Sequence, residues 1–145
     1  MILVDANLLL YAYNTSSEHY DRARRWLEEL LSKPQQPVGL PWATILAFLR
    51  ISTNSRAFPH PYSISEAASF VSDWLATPAV TLLAPGERHW SVLSGLLPAA
   101  QIRGPLVTDA HLAALAIEHG AVLYTTDRDF ARFPGLRTVN PLLVS

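Results

Sequence analysis

The first seven residues, MILVDAN, constrain the fold more than any other stretch of the chain. Ile2, Leu3 and Val4 form an unbroken aliphatic run with no polar residue between them. That is the pattern of a short strand covered on both faces, as in the middle of a parallel sheet. The run ends in Asp5, which places a carboxylate at the carboxyl end of a central strand, where open α/β sheets hold their ligands. The pattern recurs twice, in Pro105-Leu106-Val107-Thr108-Asp109 and in Ala121-Val122-Leu123-Tyr124-Thr125-Thr126-Asp127. Three strand ends that each bring an aspartate to one edge of a sheet would build a cation site.

The remaining elements alternate around these strands. Ala6 to Tyr13 reads as a helix, with Leu8, Leu9 and Ala12 on one face. Thr15 and Glu18 are spaced as a capping box ahead of an amphipathic helix whose apolar side carries Tyr20, Ala23, Leu27, Leu30 and Leu31. Its other side, with Asp21, Arg24, Arg25, Glu28 and Glu29, reads as solvated surface with local ion pairs. Val38-Gly39-Leu40 is a strand, and Pro41 can open the helix from Trp42 to about Thr53, with Ile45, Leu46 and Leu49 inward. Asn54 to Pro61 is irregular. Ser63 and Glu66 form a second capping box before a helix carrying Ala67, Phe70, Val71, Trp74 and Leu75. Val80 to Leu83 is a strand. A helix from Glu87 to Leu97 follows, with Trp90, Leu93 and Leu97 inward and Pro98 ending it. Leu106-Val107 leads into a helix from Asp109 to His119, and Gly120 suits a left-handed C-cap. Ala121 to Tyr124 is a strand, and Leu136 to Val139 adds an edge. Strands alternating with helices predict an α/β fold, a three-layer α/β/α sandwich with a mostly parallel central sheet.

At 145 residues, half of them hydrophobic, the chain suits one domain spanning 1–145. With no cysteine, disulfides, thiolate metal sites and cysteine nucleophiles are excluded. A net charge of −1 argues against nucleic-acid binding through bulk positive charge, so any such contact rests on local patches. Neither a signal peptide nor a membrane span is legible, and a cytoplasmic protein is expected.

MILVDAN, LVTDAHLAALAIEHG at 106 to 120 and LYTTDRDFARFPGL at 123 to 136 resemble the motifs of PIN-domain ribonucleases, specifically the VapC toxins of bacterial toxin-antitoxin (VapBC) pairs. The resemblance extends over nearly the whole chain. It implies an endoribonuclease dependent on Mg²⁺ or Mn²⁺, often a homodimer, held inactive by a small VapB-like antitoxin protein. It puts Asp5, Asp109 and Asp127 at the catalytic and metal-holding positions, with Asn7, Thr108 and Thr126 in support.

The residue types suit that chemistry independently of the family. Phosphodiester hydrolysis needs a nucleophilic hydroxide and counter-charge for an anionic transition state, and hard divalent ions held by oxygen donors supply both. The competing structural readings are that Thr108-Asp109 and Thr126-Asp127 are only helix caps. Asp5 resists such a reading, because a carboxylate at the end of a buried strand costs free energy unless a cation or donor meets it. Asp129 is read as flanking the site or facing solvent, and His111 as a surface histidine, with substrate contact as its alternative. One departure from the family concerns the helix from Trp42 to Thr53, where relatives usually carry a glutamate at the Ile45 to Ala47 stretch. This chain has no acid anywhere between Ser32 and Ser65. Thr44, Ser52, Asn54 or an acid from elsewhere, such as Glu87, are the available substitutes; a non-catalytic binding module for RNA or a protein partner is the alternative function. Arg50, Arg56, Arg103 and Arg128 are the candidate RNA contacts, since the guanidinium fork matches phosphate. The aromatic and proline stretch Ala57 to Tyr62 is read as exposed surface for a protein partner.

Overall fold

The computed structural model describes residues 1–143. Five strands form one parallel sheet in the order β3-β2-β1-β4-β5, with β1 (Ile2–Val4) at its centre, β2 (Val38–Pro41) and β3 (Val80–Leu83) on one side, and β4 (Val122–Tyr124) and β5 (Thr138–Val139) on the other. Ile2 pairs with Val38 on one side and with Val122 on the other. The chain adds β2 and β3 in one direction from β1, then returns to add β4 and β5 in the other. The strand order therefore reverses between β1 and β4. The crevice at the carboxyl ends of those two strands is where such sheets bind ligands.

Alternate residues of β1 feed two separate cores, as a period of two requires. Ile2 and Val4 pack with α1 (Ala6–Tyr13), α2 (Tyr20–Ser32), α3 (Trp42–Ser52) and α4 (Ile64–Ala76), whereas Leu3 packs with α5 (His89–Ala99), α6 (Leu106–Glu118), Phe130 and Phe133. Helices thus cover both faces of the sheet, and the expected three-layer sandwich is what forms. The first core is tied at Tyr13, whose hydroxyl accepts a 2.9 Å bond from Trp74 Nε1 and whose carbonyl accepts one from the Tyr62 hydroxyl at 2.7 Å. No helix among the described residues is long and apolar enough to cross a membrane.

Several local expectations are corrected. Leu106 and Val107 are not a strand; they are the first turn of α6, entered through Gly104 at φ +60° and capped by Pro105. Asp109 is consequently the fourth residue of a helix, and neither it nor Thr108 is a cap. Thr15 and Glu18 form no capping box, because α2 starts later, at Tyr20, with His19 as its N-cap and no side-chain cap bond. On α3 the inward residues are Thr44, Ile45, Phe48 and Ser52, and Leu46 is 58% exposed. α5 begins at His89 and runs through Pro98 to Ala99; it buries Leu96 and leaves Trp90 69% exposed. Phe58 is buried and Tyr62 half-buried in the first core, so the aromatics of the Ala57 to Tyr62 stretch do not offer a free surface. By contrast, Ser63 and Glu66 do form a reciprocal capping box, and Gly120 takes φ +63° just past α6.

Candidate functional site

At the strand-order reversal, the ends of β1 and β4 are joined by side chains as well as by the ladder. Asp5 follows β1 and caps α1, its Oδ1 accepting from the Ala6 amide at 2.8 Å. Its Oδ2 accepts from the Thr125 hydroxyl, also at 2.8 Å. Thr125, buried just past β4, is a hub: its Oγ1 also accepts from the Asp127 amide at 3.0 Å and from Asn7 Nδ2 at 3.3 Å. Asn7 Nδ2 reaches Thr126 Oγ1 at 2.9 Å. Asp127 then caps a 3₁₀ helix (Arg128–Arg132), its Oδ1 accepting from the Asp129 amide at 2.8 Å. Sequence reasoning named Asn7 and Thr126 but missed Thr125. Its signal was available in the doubled threonine ahead of Asp127, where only one of two adjacent residues at a strand end can turn into the sheet edge.

The third aspartate arrives from the other side of the sheet. Asp109 lies half-buried in the first turn of α6 and makes no side-chain hydrogen bond among the described residues. Burial, then the charges of Asp127, Asp5 and Asp129, push its pKa up to about 6, with Arg132 opposing. Asp5 is also raised, by burial first, although the Thr125 and Ala6 bonds and the charge of Asp127 act on it too. Asp109 therefore feels both other aspartates across the edge of the sheet, and Asp5 feels Asp127. They do not close to a common coordination distance: among the described residues no three acidic or histidine side chains converge enough to enclose an ion by themselves. The expectation of three converging strand ends is thus corrected to two strand ends and one helix turn, electrostatically coupled and held apart.

The donor set fits a hard divalent ion. All the groups are oxygens, each Asp5 oxygen accepts a single hydrogen bond, and Asn7 Oδ1 is buried without a partner among the described residues. Mg²⁺ keeps several waters and takes only one or two carboxylates directly, so a spread set suits it.

Other expected residues stand as follows. Thr108 is exposed on α6. The helix α3 brings no acid: Thr44 is buried there, but its hydroxyl donates to the Val4 carbonyl at 2.8 Å and so is committed to β1. Ser52 is buried on the last turn of α3, Asn54 caps its own turn, and Glu87 lies exposed between β3 and α5. Arg50, Arg56, Arg103 and Arg128 are all exposed, Arg128 immediately beside Asp127. Asp129 is largely exposed and contributes to the field on Asp109. His111 is not a free surface histidine, since its Nδ1 shares one proton with His89 Nε2 at 2.9 Å.

Comparison with known proteins gives a family by sequence and a fold by structure. A family model described as PIN domain matches residues 2–136. Ribonuclease VapC37 of Mycobacterium tuberculosis is 45% identical over 141 residues, covering 97% of each chain. Ribonuclease VapC33 of the same species is 38% identical over 142 residues, with 98% of this chain and 99% of that one covered. Among solved structures, VapBC2 from Rickettsia felis, bound to a DNA fragment from its promoter, superposes with a TM-score of 0.71 at 20% identity, over 97% of this chain and 98% of that one. The sarcin-ricin-loop-cleaving toxin VapC20 of Mycobacterium tuberculosis does so with a TM-score of 0.64 at 18% identity, covering 94% and 99%. At those identities the structures testify to the fold.

Proposed function

The chain belongs to the PIN-domain family and, within it, to the VapC ribonucleases, and from that premise we propose that it is a Mg²⁺- or Mn²⁺-dependent endoribonuclease, the toxin of a toxin-antitoxin pair. The observation that carries the reading is the gathering of oxygen donors at the strand-order reversal: Asp5 and Asp127, tied through Thr125, with Asp109 close enough for both charges to raise it. Carboxylates gathered at one sheet edge, with the charges of Asp127 and Asp5 helping to raise Asp109, are the arrangement a divalent ion relieves. When bound, the ion would supply counter-charge for the anionic transition state of phosphodiester hydrolysis and acidify a water nucleophile.

The protein's own groups divide the work. Asp5 and Asp127 are held rigid by amides and by Thr125, so their charges cost no reorganisation when substrate arrives. Asn7 keeps Thr125 and Thr126 in place and offers its free carbonyl to the site. Asp109, whose metal-free pKa is raised to about 6, would be drawn to its charged form by a bound ion and so complete the oxygen set.

For partners, the reading assigns cytoplasmic RNA as substrate, a second copy of the chain, and a small VapB-like antitoxin. The outward stripe of α3, Trp42 at 51% exposed, Leu46 at 58% and then Arg50, is the surface suited to the antitoxin. An amphipathic segment would bury the two apolar residues. The decisive test is cleavage of an RNA panel with Mg²⁺ or Mn²⁺ and with chelator. The reading expects chelator-sensitive cleavage that Asp109→Asn abolishes. RNA bound but never cut, with either metal, would establish the non-catalytic alternative, consistent with the acid missing from α3.

A further inference from the structure

Arg132 closes the 3₁₀ helix that Asp127 opens, and it was not among the arginines the sequence singled out. Its Nε donates to the Asp129 carbonyl at 3.1 Å, which folds the side chain back over the turn leading from Asp127. Its Nη2 stands 4.0 Å from Asp129 Oδ1, at the outer limit of an ion pair, and both side chains are open to water. A pair so long and so exposed contributes little to stability. The Nε bond, by contrast, fixes the plane of the guanidinium and leaves both Nη groups with donors to spare. The other arginines near the site lack such an anchor: Arg50, Arg56, Arg103 and Arg128 make no side-chain hydrogen bond or ion pair among the described residues. Arg132 also acts on Asp109 against the three neighbouring carboxylates.

We propose that Arg132 is the phosphate-binding residue of the site, its guanidinium, pinned through Nε to the turn that Asp127 caps, presenting Nη donors to a backbone phosphate of single-stranded RNA beside the carboxylates. The inference rests on the ribonuclease reading and names the side chain that offsets substrate charge at an otherwise acidic edge. Without such a cation, a polyanion approaching Asp5, Asp109, Asp127 and Asp129 meets like charge. A pinned fork loses little rotamer freedom on taking up a phosphate oxygen, which distinguishes it from the free surface arginines.

The test compares wild type with Arg132→Gln, Arg132→Lys and Arg128→Gln, using a single-stranded RNA oligonucleotide with Ca²⁺ in place of Mg²⁺ as the binding probe, its integrity checked by gel, and the same oligonucleotide with Mg²⁺ for cleavage. Glutamine can still donate one bond to the Asp129 carbonyl, and circular dichroism with melting confirms that each variant is folded. For Arg132→Gln the expectation is probe binding weakened about tenfold at low salt. The slope of log affinity against log salt should fall in magnitude by about 0.7, the value of one single-strand phosphate contact. Cleavage should lose more in kcat than in KM, the Mg²⁺-induced rise in Tm should persist, and Arg132→Lys should restore the slope but only part of kcat. Arg128→Gln should change binding far less. Wild-type salt slope and cleavage in Arg132→Gln overturn the inference while leaving the nuclease reading intact. A wild type that never cleaves, but whose probe binding still depends on Arg132, sinks the nuclease reading and keeps the phosphate contact. A wild type with no affinity for the probe overturns both.

Discussion

Helix α6 carries an acid at each end, and the two live in opposite circumstances. Asp109, in the first turn, has the favourable end of the helix dipole yet no hydrogen-bond donor, and its pKa is raised to about 6. Glu118, the last residue, sits at the unfavourable end of the dipole but is satisfied. Its Oε1 accepts from the Gly86 amide and its Oε2 from the Arg88 amide, both at 2.9 Å, while Arg88 Nη2 donates to the Glu118 carbonyl. Its pKa is lowered, chiefly by the Gly86 amide and with the Arg88 amide and the nearby His119 and His89 assisting. Glu118 therefore clamps the loop between β3 and α5, and Asp109 waits for a charge the fold does not provide. Both oxygens of Glu118 are taken up by amides of one loop, whereas Asp109 faces Asp5 and Asp127, and a perturbed acid among other acids marks a functional site.

Exchanging each acid for its amide should split the two roles most widely. Asp109→Asn is expected to cut RNA cleavage by about a thousandfold or more, because on the proposed reading it would help to hold an ion that supplies several kcal/mol of transition-state stabilisation. Its fold should be unharmed, as shown by circular dichroism. Glu118→Gln, assayed beside it, should retain cleavage within about tenfold of wild type. Equal losses in both variants would erase the distinction.

Metal should act on one end only. Saturating Mg²⁺ is expected to raise the wild-type melting temperature, by the equivalent of about 2.7 kcal/mol at a hundred times its Kd. Asp109→Asn should lose most of that response and Glu118→Gln should keep it. A full Mg²⁺ response in Asp109→Asn would remove Asp109 from the metal-holding set.

How much of this was legible depends on where each residue's partners lie in the chain. Asp5 and Asp127 follow continuous apolar runs, and a strand covered on both faces has few alternatives, so their placement at the sheet edge could be read directly. Ser63 and Glu66 are three residues apart and cap each other, again a local fact. Thr15 and Glu18 have the same spacing, but Glu18 pairs instead with His19 at 3.4 Å and the helix begins later. Leu106-Val107 failed because two apolar residues carry no period, and the choice went to helix once Gly104 and Pro105 had turned the chain. Glu118 was invisible because its donors are backbone amides about thirty residues away, which no motif records. Arg132 was passed over for the opposite reason, since its anchor is a carbonyl and carbonyls carry no residue identity.

The Glu118 clamp can be broken from its partner's side. A Cβ added at Gly86 would stand 2.5 Å from Glu118 Oε2, and the carboxylate cannot swing aside without abandoning the amides of Gly86 and Arg88. Gly86→Ala should thus lower the melting temperature by several degrees, as one lost charge-assisted hydrogen bond would in a domain of this size. Glu118→Gln should do likewise, since an amide nitrogen must then face a backbone N–H. Because the folded Glu118 pKa is depressed, its contribution is present above the unfolded value and is lost as pH falls through the folded one. The wild type should accordingly lose its advantage over Glu118→Gln in acid. No change in melting for either variant would show the clamp to be incidental.

The smallest effect is the most diagnostic, because it runs in the opposite direction at Asp109. Its folded pKa, about 6, lies above the ordinary aspartate value of 3.8, so between those two pH values the folded protein binds more protons than the unfolded chain. Stability contributed by this group is then full below about pH 4 and declines as pH rises through 6. The shift sets a ceiling of roughly 3 kcal/mol, and for a half-exposed group screening reduces it to about 1 kcal/mol. Metal-free wild type should therefore match Asp109→Asn near pH 4 and fall below it by about 1 kcal/mol at pH 7, less the roughly 0.3 to 1 kcal/mol that the helix dipole returns to the charged residue. Urea melts across that range in the presence of chelator measure the difference directly. Mg²⁺ should abolish it, since an ion favours the charged carboxylate that the neighbouring aspartates disfavour. An Asp109→Asn variant less stable than wild type at neutral pH without metal would mean that the helix dipole outweighs the neighbouring charges, and Asp109 would then belong with Glu118 as part of the frame.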